Sequence, residues 1–429
     1  MRILHTADLH LGQILYQNYS RTDEHEHFFR QLEEWCRQYQ PDALVVSGDV
    51  FDIQQPCAAV KEFFTRTFVK LRDVCTDMHL VVTAGNHDSA TRLEADASVW
   101  KCINVHIVGM APTADITTAD NGWQERFIVR IPSGYIVAFP YMTGNRRETI
   151  QSVLDYVAAE NSDHKPVVMM AHLALSSADT TGHSFEIGKI ATQPVTEMGN
   201  GYDYLALGHI HRPQTLGYPV EDENVEESTY PSGTARYAGS ALHVSCDEKY
   251  PHTVSLVEVP EHGGNTTVKR LRINELRHFY ELPENGRSAE SAEEAFAAVR
   301  TFAADKKSGY FRLRIRYSAT LPADFDQQIY QLISSYDDEI RYNPKILWTG
   351  APPETQTEKT VFEVAELQEM DDPIHFIEKT AEQYPEFSLD ELRTAFEEVK
   401  EEIRRMDEEE ALKGHSKKTN TNEEVTEQP

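Results

Sequence analysis

Five times in its first half this sequence builds a short apolar run and ends it in Asp, His or Asn. RILHTA (2–7) leads into Asp8-Leu9-His10, and ALVVSG (43–48) leads into Asp49-Val50-Phe51-Asp52. HLVVTA (79–84) leads into Gly85-Asn86-His87-Asp88. VVMMAHL (167–173) carries His172, and DYLALGHI (203–210) carries Gly208-His209-Ile210-His211. Any one such cluster is ordinary turn chemistry. An ordered set, each member following an apolar strand, is a much stronger constraint. Helical patterns near 22–39 and 57–75 separate the first three runs, and that spacing predicts βαβ units with parallel strands. Ligands of an open α/β sheet gather beyond the carboxyl ends of its strands, where these polar groups fall.

The expected fold is a layered α/β sandwich over residues 1–272. RFIVRI (126–131) and YIVAFPYM (135–142), separated by Pro132-Ser133-Gly134, predict a hairpin, and TVSLVE (253–258) reads as a closing strand. Residues 276–350 change character: helix (288–305), strand (310–317), helix (325–336) and strand (345–350) predict a small α+β capping domain. A polar, Pro-containing linker is expected over 351–370. Residues 371–412 read as a helical arm broken around Pro385. Its second helix opens with a capping box, Ser388 to Glu391, and places Leu392, Phe396, Val399, Ile403 and Met406 on one stripe. Such a stripe packs either on its own domain or on a partner's helices, and the linker favours the partner. The polar residues 413–429 are expected to be disordered.

The formal charge of −29 argues against a broad cationic nucleic-acid face. Its distribution weakens that objection. Residues 351–429 hold 23 acidic and 9 basic residues, a balance of −14, leaving −15 for the first 350. Carboxylates that hold divalent cations also reverse the local sign. The five cysteines are scattered without a CxxC pair, which supports neither a zinc knuckle nor a disulfide framework. With no apolar run near ~18 residues and no leader-like N-terminus, the expectation is a cytoplasmic protein that does not enter a membrane.

Carboxylate, imidazole and amide ligands without thiolate suit Mn²⁺, Fe²⁺ or Zn²⁺. Seven candidate ligands exceed the needs of one tetrahedral ion and suit two ions about 3.5–4 Å apart sharing a carboxylate. Asp-x-His and His-x-His are expected to aim both side chains one way, as alternate residues of a strand do. Such a site hydrolyses phosphate esters, with a non-ligand imidazole as general acid or charge stabiliser. His25, His27, His106, His164, His183 and His243 lack a partner pattern and read as structural. No P-loop occurs, so any ATP dependence would come from another chain.

The segments MRILHTADLHLGQ, SGDVFD, HLVVTAGNHDS and YLALGHIHRPQ resemble the calcineurin-like metallophosphoesterase family over roughly residues 1–250. Within it the chain is similar to the nuclease subunits of bacterial DNA-repair complexes built with a coiled-coil ATPase. The resemblance implies that Asp8, His10, Asp49 and His211 bind one metal and Asp49, Asn86, His172 and His209 the other, Asp49 being the bridge. His87 would be the catalytic imidazole. It further implies Mn²⁺-dependent cleavage of DNA ends and hairpins, a DNA-facing α+β cap, and docking of 371–412 at the base of the ATPase coiled coil. A homodimer within a heterotetramer is implied as well. Two departures stand out: Gly239-Ser240-Ala241 where the family has Gly-Ser-Pro, and the acidic segment 218–236, read as a family-variable insertion. The metal motifs alone leave open a phosphoesterase acting on small or cyclic phosphoesters.

Overall fold

Alternation along the strands decides the layering. Ala43 and Val45 face one buried cluster while Leu44 and Val46 face another, as expected when both faces of a sheet are covered. The computed structural model describes residues 1–350 apart from 17, 113–121, 145, 182–191, 220–224, 306–307, 335 and 337–338. The linker, arm and tail expected at 351–429 lie outside the described residues.

The chain runs β1 (Arg2–Thr6), a short hairpin β2–β3 (Ile14–Leu15, Tyr19–Ser20), α1 (Thr22–Tyr39), β4 (Ala43–Ser47), α2 (Ala58–Val74) and β5 (His79–Thr83). There follow α3 (Ala90–Glu94), α4 (Ala97–Lys101), β6 (Val105–Val108), β7 (Ile128–Ile131), β8 (Gly134–Ala138), α5 (Arg147–Glu160) and β9 (Val167–His172). Next come β10 (Tyr204–Gly208), β11 (Gln214–Thr215), β12 (Glu227–Tyr230), β13 (Thr234–Tyr237), β14 (Thr253–Glu258) and β15 (Thr266–Arg272). The last described elements are β16 (His278–Leu282), α6 (Ala292–Ala304), β17 (Gly309–Arg316), α7 (Phe325–Ile333) and β18 (Ile340–Thr349).

Two sheets form the sandwich, in the orders β12-β15-β14-β1-β4-β5-β6 and β11-β13-β10-β9-β8-β7. Strands β1, β4, β5 and β6 are parallel, as are β8, β9, β10 and β13. Ile3, Val45, Val81 and Val257 of one sheet share a core with Val168, Met170 and Leu205 of the other. Phe28, Leu32, Phe64 and Phe68 from α1 and α2 cover the outer face of the first sheet. The expected hairpin forms between β7 and β8, with Ile131 opposite Gly134.

A third sheet, β16-β17-β18, is parallel throughout and carries α6 and α7. It has its own apolar cluster, including Val299, Phe302, Phe311 and Ile329. Ser291 caps α6, its side chain accepting from the Glu294 N–H. The described residues up to 350 belong to one compact unit. Within it Tyr310 donates to Glu24 of α1 at 2.7 Å, and Arg312 pairs with Asp247 at 2.7 Å.

The structure differs from the sequence reading in several elements. TVSLVE does not close the domain, because β15 follows it and pairs with both β14 and β12. Strand β18 begins five residues before the expected 345. Among the described residues, the acidic segment 218–236 supplies β12 and most of β13, and β13 lies inside its sheet beside β10. Dense charge masked β12, since only Tyr230 of this exposed edge strand is buried, and the buried β13 is only four residues long.

Candidate metal centre

Strands β1, β4, β5, β9 and β10 all end at one edge of the sandwich, and there the turn chemistry takes over. Asp8, His10, Asp49 and His209 each lie at positive φ, at 51°, 46°, 46° and 97°. Non-glycine residues rarely adopt this region, and such strain clusters at functional sites. The expected same-side aim of Asp-x-His and His-x-His by strand alternation therefore does not hold. β1 ends at Thr6 and β10 at Gly208, and left-handed turns aim these side chains instead. Two glycines make the approach possible. A Cβ on Gly48, itself at φ +83°, would lie 2.1 Å from His172 Nδ1, and one on Gly85 would lie 2.0 Å from Asp49 Oδ1.

The predicted residues converge. Ligating atoms of Asp8, His10 and His211 lie within 4.8 Å of one another, and so do those of Asp49, His172 and His209. Asn86 Oδ1 is 3.1 Å from His172 Nε2 and 2.8 Å from His209 Nδ1. Asp49 stands between the groups: Oδ1 accepts the His87 N–H at 2.8 Å, while Oδ2 is 3.3 Å from His172 Nε2 and 3.9 Å from His10 Nε2. Asp8 accepts the His209 N–H on both oxygens, at 2.9 and 3.1 Å.

These contacts leave a deficit of positive charge. His172 Nδ1 lies 2.8 Å from the Ser47 carbonyl, which can only accept, so Nδ1 carries the proton. In the neutral ring Nε2 is then a lone pair facing the oxygens of Asn86 and Asp49. Three electron-rich atoms oppose one another unless a proton or a cation lies among them. Without a metal the proton is favoured: burial opposes a charged His172, but Asp49 and Asp8 outweigh it and raise its pKa to about 9. Asp49 is correspondingly lowered, burial being outweighed by His172, His10 and His87. Burial pushes Asp8 up to about 6 against the pull of His172. His10 adds a sharper sign, since both its ring nitrogens are buried without a hydrogen-bond partner. A donor set of oxygen and imidazole nitrogen with orphaned lone pairs fits divalent cations.

His87 is placed differently. It is exposed, its ring packs edge-on to His10 at 4.9 Å, and Nδ1 donates to the Asp52 carbonyl at 2.9 Å. Nε2 thus remains for a substrate at the mouth. Asp88 turns away and accepts the N–H groups of Val50, Phe51 and Gly85 at 2.8–3.0 Å, tying the second and third strand ends together.

Two contributors lie outside the expected ligand set. Asp52 Oδ1 lies 3.2 Å from His10 Nδ1 without hydrogen-bond alignment, and it forms a further candidate group with His10 and His87. Its place in Gly-Asp-x-x-Asp was the available signal. Glu248, 2 % exposed, lies 2.9 Å from His211 Nδ1 and accepts the Val244 N–H at 2.9 Å. Nothing in its neighbourhood marked it. Burial pushes its carboxyl up to about 8. Of the histidines read as structural, His25 is buried on the Leu9 carbonyl at 2.8 Å and His106 meets His79 at 3.1 Å, while His183 lies outside the described residues. At the departure from Gly-Ser-Pro, Ala241 keeps an N–H that lies 3.4 Å from the Asp8 carbonyl, a contact proline could not make.

A two-sheet sandwich with Asp and His side chains converging at its strand ends defines a metal-dependent phosphodiesterase. The family model for calcineurin-like phosphoesterases matches residues 1–213. The chain is 32 % identical over 294 residues to the SbcD subunit of the SbcCD nuclease of Escherichia coli K12, covering 64 % of this chain and 68 % of that protein. The Rhodobacter capsulatus protein of the same name is 29 % identical over 311 residues (67 % and 72 %), and that of Bacillus subtilis 28 % over 323 residues (67 % and 76 %). The chain belongs to the SbcD family of nucleases. Among the described residues, no helix is long and apolar enough to cross a membrane.

Proposed function

We propose that this chain is a Mn²⁺-dependent DNA nuclease that cleaves duplex ends and hairpins as the nuclease subunit of an SbcC–SbcD-like repair complex. The observation that carries the site assignment is Asp49, with one carboxylate oxygen facing both His172 and His10. In this reading Asp8, His10, Asp49 and His211 hold one ion and Asp49, Asn86, His172 and His209 the other. Two bound divalent ions supply a grip on the phosphate oxygens and an acidified water for in-line attack.

The chain's own residues do the rest. The Ser47 carbonyl holds the Nδ1 proton of His172, which directs its Nε2 lone pair inward, and Glu248 at 2.9 Å from Nδ1 orients the His211 ring. The Asp52 carbonyl fixes the His87 ring, whose Nε2, when protonated, donates to the phosphodiester or to the leaving oxygen. Residues 276–350 form a cap that faces DNA, and the 371–412 arm docks on an SbcC-like coiled-coil ATPase, in a heterotetramer built on a homodimer of this chain.

The test is a cleavage assay in Mn²⁺ on linear duplex and hairpin DNA, beside a small chromogenic phosphodiester, with His87→Gln as control. DNA cleavage that His87→Gln loses supports the reading. Hydrolysis of the small ester alone would move the function to small phosphoesters. Deleting 371–429 is expected to spare nuclease activity and abolish co-purification with the ATPase; normal co-purification would place docking elsewhere.

A further inference from the structure

Residues 238–252 join β13 to β14 without a helix or strand of their own, and this loop supplies Glu248. Glu248 turns to His211 at 2.9 Å, but its neighbours face the other way, onto the three-stranded sheet. Arg312 donates to Asp247 at 2.7 Å and to the Cys246 sulfur at 3.1 Å, and Asn343 donates to the same sulfur at 3.3 Å. Lys249 pairs with Glu281 at 2.8 Å. Strand register explains the grip. Glu281 of β16 lies opposite Arg312 of β17, and Arg312 lies opposite Asn343 of β18. One row, with a residue from each strand, thus meets one loop. Arg312 and Asn343 are 5 % and 1 % exposed, and Arg312 also bonds Glu281 at 2.6 Å. Buried polar networks of this kind stiffen the segments they join. On the sandwich side the loop is tied nearer its start, where the Ser240 N–H donates to the His211 carbonyl at 3.1 Å and Arg21 donates to the His243 carbonyl.

We infer that the row Glu281–Arg312–Asn343 is a positioning element of the metal centre: it fixes the loop so that Glu248 holds the His211 ring toward its ion. A carboxylate behind a metal-bound imidazole sets the ring's orientation and the affinity of the site, and it does so only when its own backbone is held. His172, assigned to the other ion, leans instead on the Ser47 carbonyl inside the sandwich. The row therefore supports one ion and not the other. The inference rests on the ligand sets proposed above, and it makes the three-stranded sheet part of the centre's support.

The test uses the full chain with Mn²⁺ as the probe. Arg312→Ala removes the middle of the row. Asp247→Ala, at a side chain 41 % exposed, cuts the same contact without emptying a buried site, and it decides the matter alone if Arg312→Ala fails to fold. Each is made singly and together with Glu248→Ala, and Mn²⁺ affinity is read by competition with a chelator. Arg312→Ala is expected to weaken one of the two ions by about tenfold, and Asp247→Ala by roughly threefold. At limiting metal the spin-resonance signal of the coupled Mn²⁺ pair should fade accordingly. In the Glu248→Ala background neither substitution should add a further loss, because effects that pass through one group are not additive. Arg316→Ala, which breaks the exposed Arg316–Glu290 pair on the same strand, should bind both ions as the parent does. Unchanged affinity in the row variants, an equal loss at both ions, or a loss that persists in full without Glu248 overturns the positioning role and leaves the metal centre standing. Failure of the parent to hold two ions removes the ligand sets themselves.

Discussion

The strand-end cluster and the three-stranded sheet both bury charge, and they resolve it in opposite ways. In the sheet, Arg312 is 5 % exposed and meets Glu281 at 2.6 Å and Asp247 at 2.7 Å, while Arg314 pairs with the same Glu281. Each cation there has its anion within the chain. At the strand ends Asp8 and Asp49 are buried among imidazoles, the Nδ1 proton of His172 is already committed to the Ser47 carbonyl, and both nitrogens of His10 are orphaned. Buried charge is tolerated when it is matched. The first region is matched by its own sequence, whereas the second needs ions from solution. One is built for stability and the other for binding.

That contrast breaks most visibly at Asp49. Asp49→Ala is expected to lower diesterase activity by ~10³-fold or more, the range of losing a two-metal site's shared ligand. Elemental analysis should find fewer than two ions per chain, and retention of both would sink the bridging assignment. The opposite signature belongs to the sheet. Phe302→Ala, at a fully buried position, should cost about 3–5 kcal/mol in denaturant unfolding. Metal binding should stay unchanged, because distant sites act independently.

Smaller effects sharpen the comparison inside the centre. His87→Gln is expected to slow cleavage by ~10²-fold with metal content unaltered, which separates the exposed imidazole from the buried ligands. An unaltered rate would rule out the acid role. Glu248→Ala should weaken metal affinity by about 10–100-fold, measured by competition with a chelator; wild-type affinity would show that the His211 ring needs no such support.

A separate effect concerns a buried histidine outside both regions. Burial, and then Arg236, push His5 down to about 3, with Nδ1 lying 2.9 Å from the Tyr204 hydroxyl. Below its ordinary value of 6.5 the unfolded chain binds a proton that the folded chain refuses. Stability is therefore expected to fall as pH drops from 6.5 toward about 3. His5→Asn should flatten the slope of chemically measured stability over that window, and an unchanged slope would place the acid sensitivity at other groups.

Much of the centre was legible because its ligands follow strands whose apolar runs are unmistakable. VVMMAH and YLALG are buried at every position, so their ends could be located to within a residue or two. Strands β12 and β13 were hidden for the converse reason. Their segment is rich in Glu, β12 lies at a sheet edge and needs no apolar alternation, and β13, though buried, is only four residues long. The left-handed turns were equally hidden, since Asp8, His10, Asp49 and His209 are not residues whose type demands positive φ.

The amino-acid sequence by itself determined the chemical inventory: oxygen and imidazole ligands without thiolate, delivered at five parallel-strand ends, with one further imidazole beside them. This is local information, carried by apolar runs and the residues next to them. Tertiary structure alone decided which atoms of those residues face one another. Asp49 came to stand between two histidine groups, Glu248 reached His211 from 37 residues away, and Arg272 was set at the same sheet end as Asp8. Tautomer and lone-pair direction depend on contacts between segments remote in the chain, and no local pattern encodes them.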